Sequence, residues 1–209
     1  MGKARLEAFS DGVLAVAITL LVLDLHADAA KPASLADQLR HAWPSFAAYV
    51  LSFFTIGVIW VNHHALFALA ARVDRTLMFY NLLLLMWVTT IPFTTSTLAS
   101  YLRAGGADAR LAVALYGLSM EGMAVSFTLI LWHLIRRRLL LRPVTAAEGR
   151  TALLRFGAGT LLYPVAVVIG LVSPPAMLVL LAVLTGFYIV EQTPILPSGD
   201  AVPGRDDPA

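Results

Sequence analysis

The sequence predicts an all-α integral membrane protein with six transmembrane helices. Hydrophobic residues make up 59% of the 209 residues, only 13% are charged, and the mean hydropathy is +0.78. A soluble domain carries about 25% charged residues. Six apolar segments approach or exceed the roughly 20 helical residues that cross a bilayer. They cover residues 6–26, 45–69, 76–99, 109–135, 151–172 and 175–191.

The C-terminal end differs in composition from these segments. Pro174 and Pro175 predict a tight turn between the last two helices. Residues 193–209 contain too few apolar side chains to pack, so we expect a disordered tail behind a transmembrane domain of residues 1–192.

The first segment carries polar residues into the membrane. Its uninterrupted apolar run, residues 12–22, is too short for about 30 Å of hydrocarbon at 1.5 Å per helical residue. A crossing helix must therefore include Phe9, Ser10 and Asp11. A cleaved signal peptide is the alternative, but the acidic residues among the first eleven disfavour it.

Basic residues predict the orientation of the helices. With the N-terminus inside, ten basic residues fall in inner segments and four in outer ones, so both termini are expected in the cytoplasm of a cell-membrane protein. The "RRRLLLR" segment contributes most to this bias; we interpret it as a topology anchor, with a lipid-binding or regulatory site as the alternative. The inner set is Lys3, Arg5, Arg72, Arg75, Arg136, Arg137, Arg138, Arg142, Arg150 and Arg205, and the outer set is Lys31, Arg40, Arg103 and Arg110.

Polar residues of the first three helices fall at one depth. Asp11, the "WVNHH" segment (residues 60–64) and Asn81 all lie about 8–12 Å from the inner surface if the helices are straight. Polar groups in hydrocarbon are costly unless they are paired. We therefore expect one buried network, which either clamps the helices or also positions the first helix for function. Its members would be Ser10, Asp11, Trp60, His63 or His64, and Asn81, with Arg5 at the edge and Phe9 of the same helix beside them.

No residues in the sequence form a recognisable metal or catalytic motif. His63 and His64 are adjacent and would point about 100° apart on a helix, so they do not suit one ion. No nucleophile and base are placed together at an interface. We expect no metal, no cofactor, no enzymatic activity, and neither nucleic acid nor a small-molecule substrate as partner.

The first helix has two distinct faces. Phe9, Gly12, Val16, Leu20 and Leu23 share one face, with Thr19 at its edge. The opposite face carries Asp11, Leu14, Ile18 and Val22, and a stripe of small residues runs along a neighbouring side. Small residues let membrane helices approach closely. The Val16 face could meet lipid, a helix of its own subunit, or copies of itself around an axis.

The first three helices resemble the potassium channel family named transmembrane protein 175. Arg5, Phe9, Ser10 and Asp11 match its R-x-x-x-F-S-D signature, and "WVNHH" and "NLLLLMWVTTIPFTT" (residues 81–95) look like its second and third helices. The later helices match by hydropathy only.

The resemblance implies a homotetramer in the lipid membrane, with four first helices around a pore that conducts K⁺. The pore would have no T-V-G-Y-G filter, and its apolar constriction would consist of Val16, Thr19 or Leu20, and Leu23. We therefore expect a potassium-selective or weakly selective cation channel. The alternative is a proton-coupled transporter that uses Asp11, Glu121 and a histidine.

Two residues of the first helix allow two interpretations each. Four copies of Asp24 would form an acidic ring at the pore mouth, or Asp24 is an ordinary solvated charge at the helix end. Four Thr19 hydroxyls would replace water around an ion, or each bonds the carbonyl one turn back in its own helix.

Overall fold

The computed structural model describes residues 2–27, 32–102 and 105–190 of the chain. These residues form helices and connecting turns, with no β-strand among them. The predicted tail, residues 193–209, lies outside the described residues. The helices are α1 (Lys3–Leu20, continued by a 3₁₀ turn over Leu21–Asp24), α2 (Leu35–His41), α3 (Trp43–Ala68), α4 (Arg75–Tyr101), α5 (Gly106–Arg136), α6 (Ala146–Phe156), α7 (Gly159–Val172) and α8 (Pro174–Val190).

Five stretches among the described residues are long and apolar enough to cross a membrane, and the expected all-α membrane fold is confirmed. They are Lys3–Asp24, Trp43–Ala68, Arg75–Tyr101, Gly106–Arg136 and Ala146–Val172. The sixth segment forms α8, whose apolar part Pro174–Gly186 is shorter than the others. The count of six spans therefore stays a prediction.

The structure differs from the sequence-based boundaries at two places. The short helix α2 was not predicted, because its sequence LADQLRH is too polar to form an apolar segment. It is capped by Ser34, whose hydroxyl accepts the Asp37 N–H at 3.2 Å. The fifth segment is divided into α6 and α7 by a turn at residues 157–158, which separates an amphipathic helix from an apolar one.

The core of the molecule forms around α4. This helix packs most extensively on α5 and also contacts α1 and α3, while α5 contacts α7 and α7 pairs with α8. Its buried apolar side chains recur at helical spacing, so that one helix faces three neighbours. They include Leu77, Leu84, Val88, Ile91 and Leu98.

A buried polar cluster joins three helices within this core. Ser52 of α3 lies 2.8 Å from the Thr95 hydroxyl of α4 and 3.1 Å from the Tyr116 hydroxyl of α5. Each hydroxyl can both donate and accept, so the cluster satisfies its polar groups internally. It fixes the depth of α3 against α4 and α5.

Loops at the arginine-rich end of the bundle, where α1 starts, are tied to one another. Lys3 donates from Nζ to the carbonyls of Ala68 and Ala70 at 3.3 and 3.1 Å. Ala70 and Leu140 form an antiparallel bridge between the α3–α4 and α5–α6 connections. The loops therefore hold four helix ends in register.

Asp74 connects α4 to α5 at this same end. Its carboxylate accepts the Leu77 N–H at 2.8 Å, which caps α4, and accepts His133 Nε2 of α5 at 2.8 Å. Burial raises the pKa of the Asp74 carboxyl, but the hydrogen bonds from Leu77 and His133 and the positive charge of Arg137 outweigh it, so the pKa lies below its usual 3.8.

A carboxyl whose pKa is lowered by folding stabilises the folded state above its unfolded pKa. That contribution is lost as the pH falls through the folded value. We expect the melting temperature of the native protein to fall below about pH 4, and the Asp74→Asn variant to lack part of that fall. The effect should be modest, since the Asp74 side chain is 38% exposed. Melting curves between neutral and acidic pH measure it, with the exposed Asp37→Asn as control; equal acid sensitivity in all three proteins contradicts the assignment.

Close approach of α4 and α5 depends on Gly122. A Cβ there would overlap the Trp87 ring, whereas a Cβ at Gly57 of α3 would meet nothing within 4 Å. We expect Gly122→Ala to reduce the free energy of unfolding by about 1–3 kcal/mol through overpacking. Gly57→Ala should be neutral or stabilise by up to about 1 kcal/mol. Thermal melting in detergent measures both; an unchanged Gly122→Ala would show that Trp87 can move aside freely.

Candidate functional site

The face of α1 that packs on the bundle contains one polar residue. The buried residues of this helix follow the spacing of a single helical stripe, and they continue into the 3₁₀ turn. These are Leu6, Ser10, Leu14, Ala17 and Leu21. Ser10 is thus the polar group that α1 brings into the contact with α3 and α4.

A chain of hydrogen bonds connects Ser10 to the neighbouring helices. Asn81 of α4 donates from Nδ2 to the Ser10 hydroxyl at 2.9 Å, and its Oδ1 lies 2.8 Å from His63 Nε2 of α3. Ser10 in turn donates to the Leu6 carbonyl at 2.9 Å. All three side chains are at most 1% exposed. The sequence-predicted residues Ser10, His63 and Asn81 are therefore brought together.

The direction of the bonds determines the tautomer of His63. Because Asn81 uses its amide N–H on Ser10, its carbonyl oxygen must accept from His63, which places the imidazole proton on Nε2. The ring also stacks on Phe67, with centroids 4.5 Å apart. His63 is held by both contacts.

Asp11 lies in a different place from the one expected. It is exposed in the single chain and accepts a hydrogen bond from Trp60 Nε1 at 3.0 Å, rather than bonding His63 or Asn81. Adjacent helical residues point about 100° apart, so Ser10 and Asp11 cannot both face the buried contact. The polar residues form a buried chain and a separate surface pair.

The other expected members of the network lie on the surface. His64 is exposed and joins neither group, so His63 is the histidine of the pair that bonds Asn81. Arg5 is exposed, and Phe9 is half exposed. Within the residues that the structure describes, Arg5 has no ion pair.

The face of α1 opposite Ser10 is aliphatic and open. Val16, Leu20 and Leu23 are 56%, 42% and 70% exposed. Gly12 lies on the same side, and a Cβ there would meet nothing within 4 Å. The Thr19 hydroxyl donates to the Val16 carbonyl at 2.9 Å, so its proton is used within the helix while its oxygen can still accept.

The end of α1 departs from ideal helical geometry. Residues 21–24 form a 3₁₀ turn, with 3.0 rather than 3.6 residues per turn. Val22, which the sequence places with Asp11 on the face opposite Val16, is 48% exposed. Asp24 is exposed at the end of this turn, and its carbonyl lies 3.2 Å from His26 Nδ1.

Glu121 of α5 has a buried Oε2 without a hydrogen-bond partner in the described part of the chain. In the same residues, no three His, Asp or Glu side chains lie close enough to hold a metal ion.

Removing the Asn81 amide should destabilise the helix contact. Asn81→Ala leaves the His63 Nε2 proton buried without an acceptor, which costs about 1–3 kcal/mol per unsatisfied group. We expect a lower melting temperature in detergent for Asn81→Ala and little change for His64→Ala, since His64 is exposed. Equal melting temperatures for Asn81→Ala and the native protein would mean that water replaces the amide.

Comparison with known proteins places the chain in a family. The family described as "Endosomal/lysosomal potassium channel TMEM175" matches residues 5–92. A potassium channel of Streptomyces collinus is 46% identical over 203 residues, 96% of this chain and 98% of that protein. A potassium channel of Chamaesiphon minutus is 41% identical over 175 residues, which cover 81% of this chain and 84% of that protein.

A solved structure agrees with these relatives. The crystal structure of a lysosomal potassium-selective channel TMEM175 homolog from Chamaesiphon minutus superimposes with a TM-score of 0.80 and 36% identity. The match covers 90% of this chain and 96% of that one. Sequence and fold thus agree over nearly the whole length, and the chain belongs to the TMEM175 family.

Proposed function

We propose that the chain is a potassium-selective or weakly selective cation channel whose pore is lined by α1. One observation carries the proposal: α1 presents the exposed aliphatic residues Val16, Leu20 and Leu23 opposite a buried, hydrogen-bonded face. The Streptomyces and Chamaesiphon relatives are named as potassium channels, which supports the same function here.

The pore requires several copies of α1, and we propose a homotetramer in the lipid membrane. The open side of α1 carries Ala8, Gly12 and Ala15, small residues that let helices approach closely. Around a four-fold axis this side would be covered by the other subunits, while the Ser10 face keeps its partners within the subunit. The arrangement accounts for the exposure of one face of α1.

Rings of aliphatic side chains would form a narrow apolar constriction. An ion passes such a constriction only by losing water, and a dry constriction is closed. K⁺ holds its water less tightly than Na⁺, so it loses less on entry. A ring of four valines at position 16 would be wider than a ring of leucines or isoleucines, because valine has one methylene less. Selectivity would come from dehydration, without a cage of carbonyls.

Polar residues at the two sides of the constriction would assist the ion. Thr19 donates its proton to Val16, so its oxygen lone pairs remain for a partly dehydrated cation. Four copies of the exposed Asp24 would raise the local cation concentration at the mouth. We expect K⁺ as the permeating ion, and we expect no cofactor.

The orientation follows from the basic residues. The ends of α3 and α5 and the starts of α1, α4 and α6 lie at the arginine-rich end, which the positive-inside rule assigns to the cytoplasm. We therefore propose a cell-membrane protein with a cytoplasmic N-terminus, and a C-terminus on the same side if α8 spans.

The proton-coupled transporter has no support from the relatives, which are named as channels. Its three groups are also not joined: Asp11 bonds Trp60, His63 bonds Asn81, and no described residue bonds Glu121 Oε2. As a member of a channel family, the chain is not an enzyme.

Ion currents test the function and the assignment of faces together. Purified protein in planar bilayers, with K⁺ on one side and Na⁺ on the other, should pass a passive current whose reversal potential favours K⁺. Val16→Asn and Leu23→Asn should wet the constriction, raise the current and shift the reversal potential toward zero.

The control is Ile18→Asn, since Ile18 is partly buried against the core of its own subunit. It should lower the melting temperature more than it changes selectivity. If Ile18→Asn shifts the reversal potential while Val16→Asn and Leu23→Asn do not, the faces are assigned wrongly. Flux that saturates and requires a pH gradient, without passive current, would reject the channel.

A further inference from the structure

A groove opens between the end of α5 and the start of α6, away from the α1 face. It has a volume of about 450 Å³, within the range of roughly 300–1,000 Å³ that is usual for small-ligand sites. The proposed pore does not use it. Its walls include Trp132, Ile135, Arg136, Arg150, Leu153 and Leu154.

The floor of the groove is apolar because of how α6 lies on α5. Gly149 and Ala152 face α5, and a Cβ at Gly149 would lie only 3.3 Å from Ile135 Cγ2. This close contact leaves the larger Leu153 and Leu154 beside it, and Leu154 is 66% exposed. An apolar surface therefore remains open next to the helix contact.

Two guanidinium groups line the same groove. Arg136 lies over the Trp132 ring, with Cζ 5.2 Å from the ring centroid, and Arg150 comes from α6. Among the described residues neither arginine has an ion pair with a carboxylate. The acid of α6, Glu148, accepts hydrogen bonds from the N–H and hydroxyl of Thr145.

The groove lies where the membrane surface would be. α6 follows the "RRRLLLR" segment and leads into the apolar α7. It has a polar side that carries Arg150 and Thr151 and an apolar side that carries Ala152 and Leu153, the pattern of a helix at the boundary of headgroups and acyl chains. Leu154 lies one turn after Arg150 on the same side of α6, so a basic group and an exposed apolar group border the groove together.

We propose that this groove binds one anionic phospholipid. Its phosphate lies between Arg136 and Arg150, and the upper part of an acyl chain covers Leu153 and Leu154. Two positive charges without a carboxylate partner favour a headgroup with net negative charge over a zwitterionic one. The apolar floor favours a lipid over a free phosphate ion, which would leave that floor exposed to water.

Lipid retention by the full-length protein tests the site. Native mass spectrometry and melting curves in mild detergent would compare added dioleoylphosphatidylglycerol, dioleoylphosphatidylcholine and glycerol 1-phosphate. We expect phosphatidylglycerol to be retained at several-fold higher occupancy than phosphatidylcholine and to raise the melting temperature more. Glycerol 1-phosphate should do neither; if it raises the melting temperature as much as the lipid, the site is one for a free phosphate and the proposal fails.

Matched variants separate the groove from general basic charge. Arg136→Gln/Arg150→Gln should lose the preference for phosphatidylglycerol, while Arg138→Gln/Arg142→Gln, with the same loss of charge near the same end, should keep it. Each melting shift is referred to the variant's own lipid-free value. Equal loss in both double variants would overturn the proposal.

Two milder variants show whether a loss of lipid binding is specific or is caused by misfolding. Arg136→Lys/Arg150→Lys keeps both charges and should retain phosphatidylglycerol, whereas Leu154→Ser keeps both charges but should weaken retention, since it removes the contact with the acyl chain. If Leu154→Ser binds as the native protein does, no acyl chain covers the groove and the proposal is rejected.

Discussion

The Asn81 amide is the contact on which the arrangement of α1 depends. It donates to Ser10 of α1 and accepts from His63 of α3, so one side chain holds three helices at a fixed rotation and depth. Apolar packing alone specifies the rotation of α1 less strictly, since apolar contacts are non-directional. A buried amide with both ends bonded specifies it more strictly, because a rotation would leave a donor or an acceptor without a partner.

Fixing one face of α1 also fixes the other. With Ser10 held against α4, helical geometry turns Val16 outward, since these residues are six positions and about 600° apart, or 240° after one full turn. The surface pair of Asp11 and Trp60 lies beside the buried chain and supports the same rotation from α3. In the proposed channel, Ser10 would therefore determine which way Val16 faces in the pore, although Ser10 itself would not touch the ion.

The sequence could predict which residues share a depth but not which of two neighbours is buried. Rise per residue is constant, so Ser10, His63 and Asn81 could be placed at one level by counting from the helix ends. Choosing between Ser10 and Asp11 requires the rotation of α1 about its axis, which depends on how the buried side of α1 packs on α3 and α4. The 3₁₀ turn at the end of α1 and the break before α7 likewise depend on tertiary packing rather than on hydropathy.

The loops at the arginine-rich end extend this constraint to the connections. Asn81 lies seven residues after Asp74, or about 10 Å along α4, and Asp74 caps that helix while it bonds His133 of α5. Lys3, at the start of α1, is bonded to the carbonyls of the same connection. The helices that carry Ser10 and Asn81 are therefore both anchored at their starts to one set of loops, and a rotation of α1 would have to break the Lys3 contacts as well as the Ser10 bond. Movement of α1 as a rigid body with α4 is less costly than rotation of α1 alone, so any opening of the proposed pore should involve the subunit's first helices together.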